Sequence, residues 1–250
     1  MPLGSERSSS PFRLYRAAVE GSVEYAGPGV CAFCRTATDG RLALGVGAYV
    51  IYRCTMCEQS FAAGAAGHDR RVKTCPRCGT AEDGYRLGDD PATCYPCLRS
   101  GRAALTKDTE FGMVTWSDAV QGRTHGVPEL TRTQPGFSLA DPHPDGWVAV
   151  NIPPFVLLEL VRTPTYRTYQ GEEWLFCCAT TMLYGGRWTK SDFVHHAPAD
   201  PEAVLIEVFE GAQPWMWNQV PDDPQYDTGW GFYAFRCELC NRIRGHFDMT

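Results

Sequence analysis

"CPRCGTAEDGYRLGDDPATCYPC", residues 75–97, sets two Cys-x-x-Cys knuckles, Cys75/Cys78 and Cys94/Cys97, in one short loop-rich stretch. A Cys-x-x-Cys pair aims both sulfurs at one point, and a second pair at this separation completes the tetrahedral thiolate shell that Zn²⁺ prefers. Gly79, Gly84 and Gly88 punctuate the stretch, and Gly79, directly after Cys78, suits a tight knuckle turn that needs a positive φ. The stretch therefore reads as a zinc ribbon, in which metal supplies the stability that so small a hairpin unit cannot draw from apolar burial.

The same idea recurs upstream. "CAFC" at Cys31/Cys34 and "CTMC" at Cys54/Cys57 flank the β-rich "LALGVGAYVIYR", so sequential pairing predicts a first ribbon from these two knuckles and a second from Cys75/Cys78 with Cys94/Cys97. Ten of the twelve cysteines stand in such pairs. The remaining sulfurs are the adjacent Cys177 and Cys178, and the last knuckle, Cys237/Cys240, lacks a neighbouring partner pair. Bringing these four together predicts a third zinc site, although adjacent strand residues point to opposite faces and need a bulge or turn to share one metal. A mixed site using one of His195, His196 or His246, or an inert buried Cys177 or Cys178, is the alternative.

A chain of 250 residues, 44% hydrophobic and 21% charged, is long enough to bury a real core in one or two domains. No apolar run reaches the roughly 18 residues of a membrane span, and no signal-peptide pattern opens the chain, which predicts a cytoplasmic protein with reduced, metal-binding thiols. "MPLGS" at 1–5 reads as a cloning scar. Charge is uneven. Residues 31–107 carry 11 Lys+Arg against 7 Asp+Glu, and 141–235 carry 4 against 13, within a net charge of −6. The net charge argues against non-specific nucleic-acid binding by the whole surface, while the mildly basic ribbons, with Arg70, Arg71 and Lys73, keep nucleic-acid binding as a further alternative. The acidic half is a solvated face or a surface that attracts a basic partner.

"PFRLYRAAVEGSVEYAG" reads as an extended arm, "SFAAGAAGHDRR" as a connector, and "LRSGRAALTKDTEFG" as the start of a helix. "PPFVLLELVRTP" reads as a short helix bounded by prolines, and "VLIEVFEG" as a strand. A boundary falls near 130–146. Trp215, Trp217, Trp230, Phe232, Tyr233 and Phe235 read as core aromatics. Catalytic signals are weak: no His-Glu-x-x-His, phosphate loop or nucleophile elbow occurs, Cys₄ shells are closed, and the acid pair Glu172/Glu173 has no base or nucleophile beside it in sequence.

With these residues in view, the chain resembles the CbrC family of bacterial cysteine-rich proteins, whose namesake is described as a colicin-tolerance protein. "PFRLYRAAVEGSVE" is similar to its opening segment, and "CPRCG", "GYRLG" and "CYPCLRSGRAALTKDTEF" to its two-knuckle core. "LVRTPTYRTYQGEEWLFCC" resembles its central signature, carried here by Arg162, Thr163, Pro164, Tyr166, Gln170, Glu172 and Trp174, and "FYAFRCELCNRIRGHFD" resembles its closing knuckle. Two departures stand out. "CAFC" and "CTMC" look like an added ribbon, and the family's His-Cys, Asp and second Cys after the central Trp become Cys177, Cys178, Thr180 and Met182.

The resemblance implies tolerance to a bacteriocin, toxin or antibiotic, and no reaction. The predicted fold is α+β: an extended segment (1–30), tandem zinc ribbons (31–107), and a larger strand-rich mixed domain (108–250). The leading expectation is a non-enzymatic zinc protein that binds a toxin, an antibiotic or its target, with Arg162, Tyr166, Gln170, Glu172 and Trp174 as the ligand-binding candidates. An enzyme whose pocket is lined by Gln170, Glu172 and Trp174 beside Cys177 and Cys178 is the alternative.

Overall fold

A computed structural model describes residues 10–65, 73–82, 91–223 and 227–250. The expectations that fell on Gly84, Gly88, Arg70 and Arg71 lie outside the described residues. The fold is α+β, built from small antiparallel sheets and short helices.

In the cysteine-rich half, β1 (Arg41–Ala43) leads through a Gly-Val-Gly turn into β2 (Ala48–Arg53), whose "AYVIYR" is β-branched and aromatic as a buried strand requires. β2 pairs on one side with β3 (Ser60–Gly64), so part of the expected connector is strand. After a two-residue pairing of Lys73–Thr74 with Ala81–Glu82, β4 (Ala92–Cys94) returns to pair with β1, Arg41 opposite Cys94. It runs into α1 (Tyr95–Arg99), and β5 (Ala103–Leu105) then closes the other side of β2. The helix expected after Cys97 thus ends at once, because Gly101 (φ 79°) turns the chain into β5.

The long loop region ends at α3 (Pro154–Leu160), which follows α2 (Trp116–Gln121) and carries Pro at its first turn as the sequence predicted. β6 (Phe176–Cys177) and β7 (Thr180–Thr181) form a tight hairpin. The C-terminal sheet is a meander of β8 (Leu183–Arg187), β9 (Trp230–Arg236) and β10 (Ile243–Met249). Leu14–Arg16 extends it by pairing beside Tyr184, so this part of the N-terminal arm is extended, and a 3₁₀ turn follows at Val19–Gly21. Between β8 and β9 lie α4 (Lys190–His196) and α5 (Pro201–Val208). The predicted strand "VLIEVFEG" is therefore a helix. Asp200 caps it through the Ala203 N–H, Pro201 opens it, and Val204, Leu205 and Val208 recur at helical spacing on its buried side.

Strand alternation decides where the cores sit. On β9, Phe232 and Ala234 enter a cluster with Trp188, Phe193, Leu205 and Phe209, while Tyr233 and Phe235 enter the main core. The main core runs from Phe12 and Leu14 through Leu42, Val50 and Leu98 to Leu157, Trp174 and Cys237. Of the six C-terminal aromatics, Trp215 alone stays mostly exposed, at 55%. Among the described residues no helix is long and apolar enough to cross a membrane.

Candidate metal centres and binding cleft

Four of the five knuckles share one backbone design. The first cysteine's N–H bonds forward to the carbonyl five residues on, as in Cys31 to Thr36 (3.0 Å), Cys54 to Gln59 (2.9 Å), Cys75 to Thr80 (2.9 Å) and Cys237 to Arg242 (2.8 Å). The residue after the second cysteine then takes a left-handed φ: Arg35 60°, Glu58 58°, Gly79 72° and Asn241 60°. Gly79 meets the sequence expectation, and three non-glycine residues accept the same strained position, a mark of a turn imposed from outside. The fifth knuckle differs, since Cys94 stands at the cap of α1 and Cys97 lies within that helix.

The pairing of the N-terminal knuckles corrects the sequential reading. Cys31, Cys34, Cys94 and Cys97 form one cluster; Cys54, Cys57, Cys75 and Cys78 form another nested inside it. The cause is the β1–β4 pairing, which carries Cys94 back beside the first knuckle and leaves the two inner knuckles to each other. "CAFC" and "CTMC" are thus not a ribbon of their own. Each is half of a different cluster.

The third cluster is Cys177, Cys178, Cys237 and Cys240, and no histidine among the described residues enters it. His195 and His196 sit in the last turn of α4, and His246 on β10 bonds the Tyr166 hydroxyl at 2.5 Å. The adjacent sulfurs share a site through a two-residue hairpin: Cys177 pairs with Thr180, and the turn residues Cys178 and Ala179 both have positive φ, 51° and 59°. A clamp fixes that hairpin. The Glu110 carboxylate takes two bonds from the Arg244 guanidinium (3.0 and 2.9 Å) and one from the Phe176 N–H (2.6 Å), while Arg244 also donates to the Phe176 carbonyl (2.9 Å).

All three sulfur sets fit a tetrahedral ion. With Zn–S near 2.3 Å, tetrahedral sulfurs stand about 3.8 Å apart. Sulfur pairs stand at this spacing in each set, Cys34–Cys94 at 3.8 Å, Cys54–Cys78 at 3.5 Å, Cys57–Cys75 at 3.6 Å and Cys177–Cys240 at 3.6 Å. Each set mixes thiols pulled in opposite directions. The Thr36 and Thr80 hydroxyls bring Cys34 and Cys78 down to about 6, and the Arg242 N–H brings Cys240 to about 7. Burial pushes Cys97 and Cys177 up. Four thiolates this close repel one another, and a divalent cation removes that repulsion. Three Cys₄ groups able to hold metal, consistent with zinc, are thus in place.

The central signature builds something else: the floor of a cleft of about 860 Å³ lined by Val23, Glu24, Val46, Asp108, Tyr166 and Glu172, among others, and by no cysteine. Glu172 is buried, accepts the Trp174 indole N–H at 2.7 Å, and lies 3.5 Å from the fully buried Lys107 ammonium. Lys107 also donates to the Thr165 hydroxyl at 2.5 Å, and the Thr165 N–H bonds Glu24 at 2.9 Å. Burial lifts Glu172 to about 7 despite Lys107, and lifts Asp108 as well. Asp248 of β10 pins the loop behind Glu172 by accepting the Tyr169 and Gln170 N–H groups at 2.8 and 2.9 Å.

Of the five ligand-binding candidates, Tyr166 and Glu172 line the cleft. Trp174 is buried behind Glu172, Gln170 is exposed, and the Arg162 guanidinium packs over Gly101. The expectation that Glu172 and the "CC" doublet line one pocket does not match this lining, because the segment 107–110 divides their surroundings: Lys107 and Asp108 serve the cleft and Glu110 serves the hairpin. Lys107, Asp108, Glu110 and Arg244 were not singled out from sequence; "LTKDTEF" carried the first three, without any spacing that marks a buried Lys.

The model of an uncharacterised protein family, UPF0167, matches residues 52–249. The chain belongs to that family. No curated protein and no solved structure matches it. The match takes in three of the N-terminal knuckles and leaves Cys31/Cys34 before it, so the outer cluster of this UPF0167 member joins sulfurs from either side of the family boundary.

Proposed function

We propose that this chain is a zinc protein whose job is binding rather than chemistry, and that it confers tolerance or self-resistance to a bacteriocin, toxin or antibiotic by capturing the agent or its target in the Glu24–Asp108–Glu172 cleft. The supporting observation is that cleft: the residues of the central signature, the most specific part of the resemblance to the CbrC family, build its floor, and none of the metal-type sulfurs reaches it. Three closed Cys₄ shells hold the frame and offer no open coordination position for hydrolysis. Two carboxyls whose charge is opposed by burial, Glu172 and Asp108, share one buried Lys, so an arriving cationic group supplies the counter-charge they lack. Val23 and Val46 add an apolar rim, Val46 being 98% exposed.

The test is survival of cells expressing the chain when challenged with a panel of bacteriocins and cationic antibiotics. Protection by the wild type, lost in Asp108→Asn/Glu172→Gln with zinc content unchanged, supports the reading. Equal survival with and without the chain across the panel, or protection that the double variant retains in full, overturns it.

A further inference from the structure

Tyr166 of the cleft packs against Tyr233 and Phe235, on one face of β9. The opposite face of the same sheet borders a second cavity, of about 220 Å³, between the sheet and α4. Two of the groups that line it lack the partners their chemistry calls for. Arg236 ends β9, and the β9–β10 register is unbroken from Trp230 to Arg236, so strand alternation puts its side chain on the Phe232–Ala234 face, with Ile243 directly across the ladder. It is half-buried, and among the described residues its guanidinium has neither an ion pair nor a hydrogen bond. Trp188 is 6% exposed and lines the same cavity, yet its indole N–H donates to nothing among the described residues. A buried indole N–H ordinarily finds an acceptor. This one is not sealed from solvent, and the cavity is where the Trp188 side chain opens.

The other charged side chains at the cavity are already committed. Arg187 gives its guanidinium to the Trp230 carbonyl (2.5 Å) and the Tyr169 hydroxyl (3.3 Å), and Asp192 accepts the Thr189 N–H (2.7 Å) and hydroxyl (2.8 Å) in the capping box of α4. A half-buried guanidinium without a counter-charge is costly, and its planar fork matches a carboxylate through two parallel bonds. The surrounding stretch is acidic, with 4 Lys+Arg against 13 Asp+Glu over 141–235, so this cation is not part of a basic surface that would draw a polyanion. Beside the two donors the lining is apolar, from Ala234, Ile243 and the flank of Trp188. The space equals roughly seven waters' share of liquid volume, below the range of drug-sized pockets, which suits a body of one ring.

We propose that this cavity binds a small monocarboxylate with a compact apolar body, such as an aromatic acid of one ring. The carboxylate pairs with Arg236 and takes the Trp188 N–H as a further donor, while the body rests on Ile243 and Ala234. The site shares no lining residue with the Glu24–Asp108–Glu172 cleft and takes a ligand of opposite charge. Gly185 of β8 completes the lining and gives a way to close it. A Cβ there would meet only the Ala234 carbonyl, at an ordinary 3.4 Å, and Gly185 is not among the residues of positive φ, so the backbone accepts a larger residue that takes up space at the cavity.

The experiment follows the indole N–H signals of the zinc-loaded full chain, labelled with ¹⁵N in its tryptophans, by NMR during titration with benzoate and, separately, with its neutral isostere benzamide. The Trp188 signal is assigned by its loss in Trp188→Phe. Saturable movement of that signal with benzoate, and binding roughly tenfold weaker or worse with benzamide, is the expected result. Arg236→Gln and Gly185→Val, with their other indole signals in place, should each weaken benzoate binding by roughly tenfold or more. No saturable movement with benzoate, an equal response to benzamide, or full benzoate binding in Arg236→Gln each overturns the proposal. Should Arg236→Gln fail to fold, the comparison of benzoate with benzamide on the wild type decides by itself.

Discussion

Buried Glu172 and half-buried His246 pull the pH dependence of stability in opposite directions. Burial raises Glu172 from its ordinary 4.5 to about 7, so its contribution is full below 4.5 and is lost as pH rises through 7. Burial lowers His246 from 6.5 to about 4, so its contribution is full above 6.5 and is lost as pH falls towards 4. Each shift is worth roughly 3 kcal/mol over its range, and between pH 4.5 and 6.5 the two nearly cancel. Glu172→Gln should therefore lose stability on acidification from pH 7 to 5.5 faster than wild type, and His246→Gln should gain relative to it. Urea unfolding of the zinc-loaded proteins reads this, because differences from wild type cancel the pH dependence of metal binding itself. Three parallel curves would show that neither side chain titrates as its burial requires.

At the level of the element, the β6–β7 hairpin holds its two-residue turn with residues that disfavour it. Hairpin turns with both central φ angles positive prefer Asn-Gly, and here the pair is Cys178-Ala179. A Cβ in the left-handed region costs roughly 1–2 kcal/mol, and Ala179, unlike Cys178, offers no metal-type atom in return. Ala179→Gly should raise stability by about 1 kcal/mol with the zinc content unchanged, measured as a higher unfolding midpoint. A lower midpoint would mean that the Ala179 methyl, which reaches the loop at Gly136, contributes more than the backbone strain removes. The same element explains why the doublet was hard to read: a strand pattern puts neighbours on opposite faces, and nothing in "FCCATT" announces a turn without Gly or Asn.

For the whole molecule the decisive feature is nesting. The outer sulfur cluster closes the chain from Cys31 to Cys97 and encloses the inner one, and both rest on the core shared with the C-terminal half. Elemental analysis distinguishes this from ribbons in sequence. Replacing Cys31, Cys34, Cys94 and Cys97 together by Ser should remove a single zinc from a total of three, because all four belong to one site. Sequential ribbons would lose two. Cys31→Ser/Cys34→Ser and Cys94→Ser/Cys97→Ser should each match the quadruple variant, and a further loss in the quadruple would refute the nested pairing.

The local chemistry was legible from the chain alone. Cys-x-x-Cys spacing is a property of four consecutive residues, so the five knuckles, the φ > 0 at Gly79 and the proline-bounded α3 could all be read. Even the third cluster followed from counting sulfurs left without partners. Tertiary structure decided which knuckles meet, because that depends on β1 finding β4 across 50 residues of chain rather than on any spacing. It decided that "VLIEVFEG" is a helix, since the Asp200 cap and a one-sided core outweighed β-branched composition. It also decided that Lys107 is buried, through a carboxylate that only folding brings within 3.5 Å. Motif chemistry acts over a few residues, whereas burial and pairing are set by what the rest of the chain places opposite.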